Sequence, residues 1–89
     1  PVYEYKQELP DKNFIVSVVI VRGYWELGII NSKRGNVYSD PVPLFRQDEE
    51  NAEERAKKIF DMAINLLQAG QTPRQVYGNV TRLKDQNNI

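Results

Sequence analysis

One stretch of the chain constrains the fold more than any other. Residues 14–31 read FIVSVVIVRGYWELGIIN, two runs rich in β-branched and aromatic residues separated by Arg22-Gly23. Such residues favour strands, and a glycine accepts the positive φ that a two-residue hairpin turn requires. The stretch therefore predicts a β-hairpin with Arg22 and Gly23 at its turn.

The turn also predicts the register of this hairpin. It sets Val21 opposite Tyr24, and every second pair beyond it is apolar: Ile20 with Trp25, Val18 with Leu27, and Val16 with Ile29. Cross-strand neighbours share a face. We call this apolar side the inner face and the other side the outer face. The outer face is mixed and carries Ile15, Ser17, Val19, Val21, Tyr24, Glu26, Gly28 and Ile30.

Two further strands are predicted beside the hairpin. Residues 2–9 alternate between apolar and charged, and a four-residue turn at 10–13 sets Leu9 opposite Phe14, Tyr5 opposite Val18 and Tyr3 opposite Ile20. After a turn at 32–36, residues 37–45 form a strand that Pro41 and Pro43 restrict to a sheet edge. If the loop before it holds two or four residues, its inward residues are Tyr38, Val42 and Leu44.

The hydrophobic period changes to 3.6 after Asp48, which predicts helices. Asp48, or alternatively Asn51 with Glu54, is expected to cap the first helix, and Gly70 to end it. Thr72, Pro73 and Gln75 form a capping box for a second helix. The buried stripes are expected at Ala52, Ala56, Ile59, Phe60, Ala63, Leu66 and Leu67, and at Val76, Tyr77, Val80 and Leu83.

The elements combine into one α+β domain over residues 1–89. We predict an antiparallel β-meander of three to four strands followed by a long amphipathic helix packed on one face and a short C-terminal helix. The expected strands span about 2–9, 14–22, 24–32 and 37–45, and the helices about 48–69 and 73–84. A chain of 89 residues has room for one small core.

Composition excludes several classes of function. With 12 basic and 12 acidic residues the net charge is zero, which gives no overall attraction to nucleic acid or membrane. The chain has no cysteine, which excludes a thiol nucleophile. It has no histidine, the side chain most often used as a general base near neutral pH and as a ligand of transition metals. We expect that the protein is not an enzyme and that it binds no metal ion or cofactor. No membrane span or signal segment is evident, so we expect a soluble, cytoplasmic protein without membrane partners.

The first functional hypothesis is a protein-interaction module. One helix covers only one side of a sheet, so the apolar residues of the outer face need a cover. We favour self-association in a symmetric dimer or another protein as partner, and the alternative is burial by the C-terminal helix. The expected partner-binding residues are Ile15, Val19, Val21, Tyr24 and Ile30.

The second hypothesis is binding to nucleic acid. Arg22, Lys33 and Arg34 lie at hairpin tips, and Arg74, Gln75 and Arg82 lie on the polar side of the last helix. These residue types contact phosphates and base edges. They are equally typical of ordinary turns and solvated helix faces, which is the simpler interpretation.

A resemblance bears on the second hypothesis. Over Phe14 to Ala63, three antiparallel strands precede a helix, Trp25-Glu26 lies early in the middle strand, and Ala52 and Ala56 lie on the helix. This arrangement resembles the AP2 and integrase-arm domains, which read DNA with a sheet. Those families present basic and polar residues on the exposed sheet face, whereas this chain has Glu26, Ile15 and Val19 there.

Overall fold

The computed structural model of the chain describes residues 1–37, 41–87 and 89. Within them the strands are β1 (Glu4–Leu9), β2 (Phe14–Val21), β3 (Tyr24–Asn31), β4 (Asn36–Val37) and β5 (Val42–Arg46), and the helices are α1 (Ala52–Gln68) and α2 (Pro73–Asp85). The sheet is antiparallel in the order β1-β2-β3-β4, with β5 also on β3. The predicted α+β class is confirmed.

The predicted hairpin register is confirmed in full. Ile20 lies opposite Trp25, Val18 opposite Leu27, and Val16 opposite Ile29. Arg22 and Gly23 both have positive φ, 51° and 86°, the conformation that lets a two-residue turn follow the twist of its strands. On the other side, β1 pairs with β2 in the register expected from a four-residue turn.

The last part of the sheet corrects the prediction of one strand over 37–45. β4 and β5 are separate strands, and both pair with the same edge of β3. A β-bulge lies in β5, because Trp25 pairs with Phe45 while Glu26 pairs with Pro43, so Leu44 is an extra residue. The bulge brings Phe45 inward, and Leu44 and Phe45 are both buried. Tyr38 lies outside the described residues.

The two helices begin differently. Asn51 precedes α1 with a φ of 59° and makes no side-chain cap hydrogen bond, so the prediction of a side-chain cap by Asp48 or Asn51 is wrong. Asp48 instead pairs with Arg46. The capping box at α2 is confirmed, with Thr72 Oγ1 accepting from Gln75 N–H and Gln75 Oε1 accepting from Thr72 N–H. Gly70, with a φ of 101°, follows α1 as predicted.

Both helices pack on the inner face. Val76, Tyr77 and Val80 of α2 belong to the same core cluster as the buried residues of α1 and the sheet. The ring of Tyr5 stacks on Trp25 and on Phe60, at centroid distances of 5.9 and 5.6 Å. The alternative in which the C-terminal helix covers the outer face is therefore wrong. Tyr3, which the predicted register places opposite the inner-face residue Ile20, is 58% exposed.

Candidate functional site

All five predicted partner-binding residues lie on the outer face. Ile15 is paired with Ile30 at one end of the hairpin, and Val21 with Tyr24 at the other end. Val19 lies between them, flanked on neighbouring strands by Glu4 and Glu26. Val21 and Tyr24 are 39% and 42% exposed, and the other three are half-buried. The structure thus brings the predicted residues onto one surface, with the most exposed pair at the Arg22-Gly23 end.

The middle of the outer face is low. Ser17 and Gly28 are cross-strand partners there, and neither carries a large side chain. A Cβ atom added to Gly28 would meet no heavy atom within 4 Å. Beside them on the edge strand stands Lys6, the partner of Ser17. Ser17 is half-buried and Gly28 is buried, and their small size leaves a shallow depression between the two apolar ends of the outer face.

Charges of both signs border this surface. Glu4, Lys6 and Glu8 point outward from β1, and Glu26 lies on β3. Alternating charge on an edge strand opposes nonspecific pairing with other sheets. The outer face thus has no basic stripe among its described residues of the kind that reads DNA in the AP2 and integrase-arm families.

An ion pair marks the Tyr24 end of the outer face. Arg46 is the cross-strand partner of Tyr24, and its Nε donates to Asp48 Oδ1 over 3.1 Å. This charge-assisted hydrogen bond, with the attraction between the charges, lowers the pKa of Asp48 and raises the pKa of Arg46. Both side chains are more than half exposed. The pair fixes the guanidinium beside the exposed phenol ring.

The six residues predicted to contact nucleic acid are divided among three places. Arg22 lies at the β2–β3 turn. Lys33 and Arg34 lie at the opposite end of β3, where Asn31 Oδ1 accepts from both of their backbone N–H groups. That turn adjoins the β1–β2 turn, because Ser32 N–H donates to Asn13 O over 2.9 Å.

The helical members of this set are placed differently. Arg74 lies in the first turn of α2 and contacts the same space as Lys12 of the β1–β2 turn. Gln75 is engaged in the capping box. Arg82 donates to Asn79 Oδ1 further along α2. Lys33, Arg34 and Arg74 therefore lie at one end of the molecule. Arg22 lies at the opposite end of β3, and the Gln75 side chain is occupied by the capping box.

Sequence reasoning missed a groove at that end of the molecule. It has a volume of about 920 Å³ and lies between the β1–β2 turn, the beginning of β5 and the break between α1 and α2. Its apolar lining comes from Phe14, Val42, Leu67, Pro73 and Tyr77. These residues are distant in sequence, and the one signal for the groove was the sharp break at Gly70-Gln71.

Comparison with known protein families, curated proteins and solved structures finds no match to this chain. The resemblance to sheet-reading DNA-binding domains accordingly stays a prediction. Among the described residues, no cluster of three or more acidic side chains is arranged to hold a metal ion. Neither α1 nor α2 has the length and apolar character needed to cross a membrane.

Proposed function

We propose that this chain is a non-enzymatic protein-interaction module that self-associates through the outer face. The observation that carries the proposal is the position of the helices. α1 and α2 share one core on the inner face, and on the outer face Val21 and Tyr24 are exposed while Ile15, Val19 and Ile30 are half-buried. Exposed apolar residues grouped on one surface are typical of a protein interface.

A symmetric pair of chains suits the shape of this surface. Its apolar residues lie at two ends, with the depression at Ser17 and Gly28 between them. In a two-fold dimer each copy presents the same patch to the other. In such a dimer the two-fold axis lies between the two outer faces, perpendicular to the strands and passing over the depression. It sets the Tyr24 end of one copy against the Ile15 and Ile30 end of the second copy. Each chain then covers both apolar ends of its partner.

A binding role also agrees with the chemistry of the chain. It has neither histidine nor cysteine, so the side chains most often used in proton transfer and thiol chemistry are missing from the sequence. Association through side-chain packing requires no cofactor. The lack of cysteine suits a reducing compartment, and we propose the cytoplasm as the location.

The test is the molar mass in solution of the wild-type chain and of Val19→Lys. Lysine at position 19 would lie between Glu4 and Glu26, so cross-strand charge pairs favour it in the isolated chain. Within a dimer the same charge is removed from water and weakens the interface. Val19→Glu would add repulsion from both acids, which makes it a less specific test.

We expect the wild-type chain to have twice the 10.3 kDa of one chain at high concentration, and Val19→Lys to have the mass of one chain. Both should show the same far-ultraviolet circular dichroism. The matched control is Asn65→Lys, the same added charge on the exposed surface of α1, which should keep the dimer mass. A wild-type chain that stays monomeric at every concentration, or a Val19→Lys dimer, would refute the proposal.

The second candidate function is binding to nucleic acid. The specific observation that favours it is the grouping of Lys33, Arg34 and Arg74 at one end of the molecule with Lys12. Retention of the chain on heparin should fall as salt rises, because released counterions drive such binding. Lys33→Gln with Arg34→Gln should then elute earlier, while Arg22→Gln at the opposite end should not. Equal elution of all three proteins would exclude this candidate.

A further inference from the structure

We propose that the groove between the β1–β2 turn and the helix break binds a small amphipathic carboxylate, an apolar body with one anionic head. The proposal is independent of dimer formation, because the groove lies on the helix side of the sheet. Its volume of about 920 Å³ is near the upper end of the range of small-molecule sites, roughly 300–1,000 Å³.

The walls of the groove are suited to an apolar body. Phe14 and Val42 contribute from the sheet, and Leu67 and Tyr77 from the two helices. Leu67 and Tyr77 are themselves buried in the core, which fixes their positions. Phe14 and Val42 are half-buried, so a hydrocarbon or aromatic group placed against these two side chains removes apolar surface from water without requiring the core to rearrange.

The rim of the groove is suited to an anionic head. Lys12 and Arg74 both line it, and neither forms an ion pair with any residue that the structure describes. Asp11 is the acidic residue among the lining side chains. Two cations against one acid leave a net positive rim, which attracts a single negative charge.

The beginning of α2 adds to this preference. Pro73 has no N–H group, and Thr72 Oγ1 already accepts from Gln75 N–H. The backbone N–H of Arg74 makes no hydrogen bond within the described residues, and Arg74 lines the groove. Helix starts carry partial positive charge that favours a carboxylate. Lys12, Arg74 and the start of α2 therefore converge on the same type of ligand group.

The combination of walls and rim selects the ligand class. An inorganic anion satisfies the cations and leaves the apolar walls in water. A neutral hydrocarbon covers the walls and leaves the cations without a partner. An amphipathic carboxylate does both, and bidentate contact with the Arg74 guanidinium is available to a carboxylate of this kind.

The probe is decanoate, titrated into the isotope-labelled 89-residue chain and followed by amide chemical shifts. We expect saturable shifts at the amides of residues 11–14, 70–72 and 74, with saturation in the millimolar range or below, as the size of the ligand implies. Decanol and inorganic phosphate serve as comparison ligands, and each should bind more weakly than decanoate. Equal binding of decanol would refute the role of the cations, and equal binding of phosphate would refute the role of the walls.

Variants test the same residues. Lys12→Gln combined with Arg74→Gln should weaken decanoate binding about tenfold, since an exposed ion pair contributes up to about fivefold. The matched control, Lys33→Gln with Arg34→Gln, removes the same charge from a neighbouring turn outside the groove and should bind decanoate as the wild type does. Unchanged affinity in the first variant, equal loss in both, or no saturable shift in the wild type would overturn the proposal. Val19→Lys should bind decanoate normally, which separates this test from that of the dimer.

Discussion

The hydroxyl oxygen of Tyr77 on α2 lies 2.8 Å from the backbone nitrogen of Ile29 on β3 and accepts its hydrogen. The hairpin register explains why this N–H group needs a partner. Val21 and Tyr24 close the two-residue turn as a hydrogen-bonded pair, so Ile29 belongs to the alternate set whose N–H groups point away from β2. On that side β5 pairs up to Leu27 and β4 from Ile30, and the Tyr77 hydroxyl serves the N–H group between them.

Replacing Tyr77 by phenylalanine should therefore lower the free energy of unfolding by more than the removal of an exposed hydroxyl group does. The variant leaves the buried Ile29 N–H without this acceptor, and such a loss costs about 1–3 kcal/mol of the free energy of unfolding. Urea unfolding measures that cost, and hydrogen exchange at Ile29 should accelerate. The control is Tyr3→Phe, which removes an exposed hydroxyl and should change stability by less than about 0.5 kcal/mol. Equal stability of the two variants would contradict the role of this hydrogen bond.

Part of this arrangement could be predicted from the sequence. The turn at Arg22-Gly23 and strict alternation fix the β2–β3 register, because a slip would expose Trp25 and Val18. Phe45 was missed because a bulge changes the alternation by one residue, and Pro43 indicates only that the strand lies at an edge. The break at Gly70-Gln71 was visible in the sequence, but the groove beside it could not be predicted. It depends on where α2 returns to the sheet, and a helical period does not say which sheet face a helix covers.

Asn51 offers a test of how α1 begins. Its φ of 59° is one that asparagine and glycine adopt more readily than other residues, and its side chain makes no cap hydrogen bond. Asn51→Gly should keep the stability of the chain within about 0.5 kcal/mol or raise it, whereas Asn51→Ser should cost about 1 kcal/mol through backbone strain. Thermal and urea unfolding measure both.

The control for Asn51→Ser is a serine placed at an ordinary helix cap, where it should not destabilise the chain. Thr72 has extended backbone angles and a true side-chain cap, so Thr72→Ser should be tolerated within a few tenths of a kcal/mol. If Asn51→Ser is tolerated equally well, then Asn51 acts as an ordinary cap in solution and the left-handed start of α1 is wrong.

The ion pair at Asp48 gives a pH-dependent prediction. Its hydrogen bond and attraction to Arg46 lower the pKa of the carboxyl group in the folded chain. A lowered folded pKa means that the contribution to stability is fully present above the unfolded pKa and is lost as the pH falls through the folded pKa. Carboxyl carbon shifts during an acid titration should show Asp48 titrating below an ordinary aspartate. Arg46→Gln should move that titration upward, and Lys12→Gln, at the far end of the sheet, should leave it unchanged. An unaltered titration in Arg46→Gln would show that the pair does not persist in solution.

A substitution at Gly28 tests whether the outer face is exposed to water or binds a second copy of the chain. Its φ is not in the left-handed region and a Cβ atom there meets open space, so valine at this position should stabilise the isolated chain by about 1 kcal/mol, as expected for a β-branched residue in a strand. In the proposed dimer the same side chain fills the depression over which the two-fold axis passes. Gly28→Val should therefore raise the stability of the monomer and abolish the dimer.

The two effects are measured separately, the first by urea unfolding in dilute solution and the second by molar mass at high concentration. Dilution matters because association adds to apparent stability. Gly78→Ala is the matched control, since Gly78 lies exposed on α2 with open space around it and alanine favours a helix by about 1 kcal/mol. That variant should gain stability and keep the dimer mass. A Gly28→Val chain that is more stable and still dimeric would show that the interface lies elsewhere, because filling the depression would then have left dimer formation unaffected.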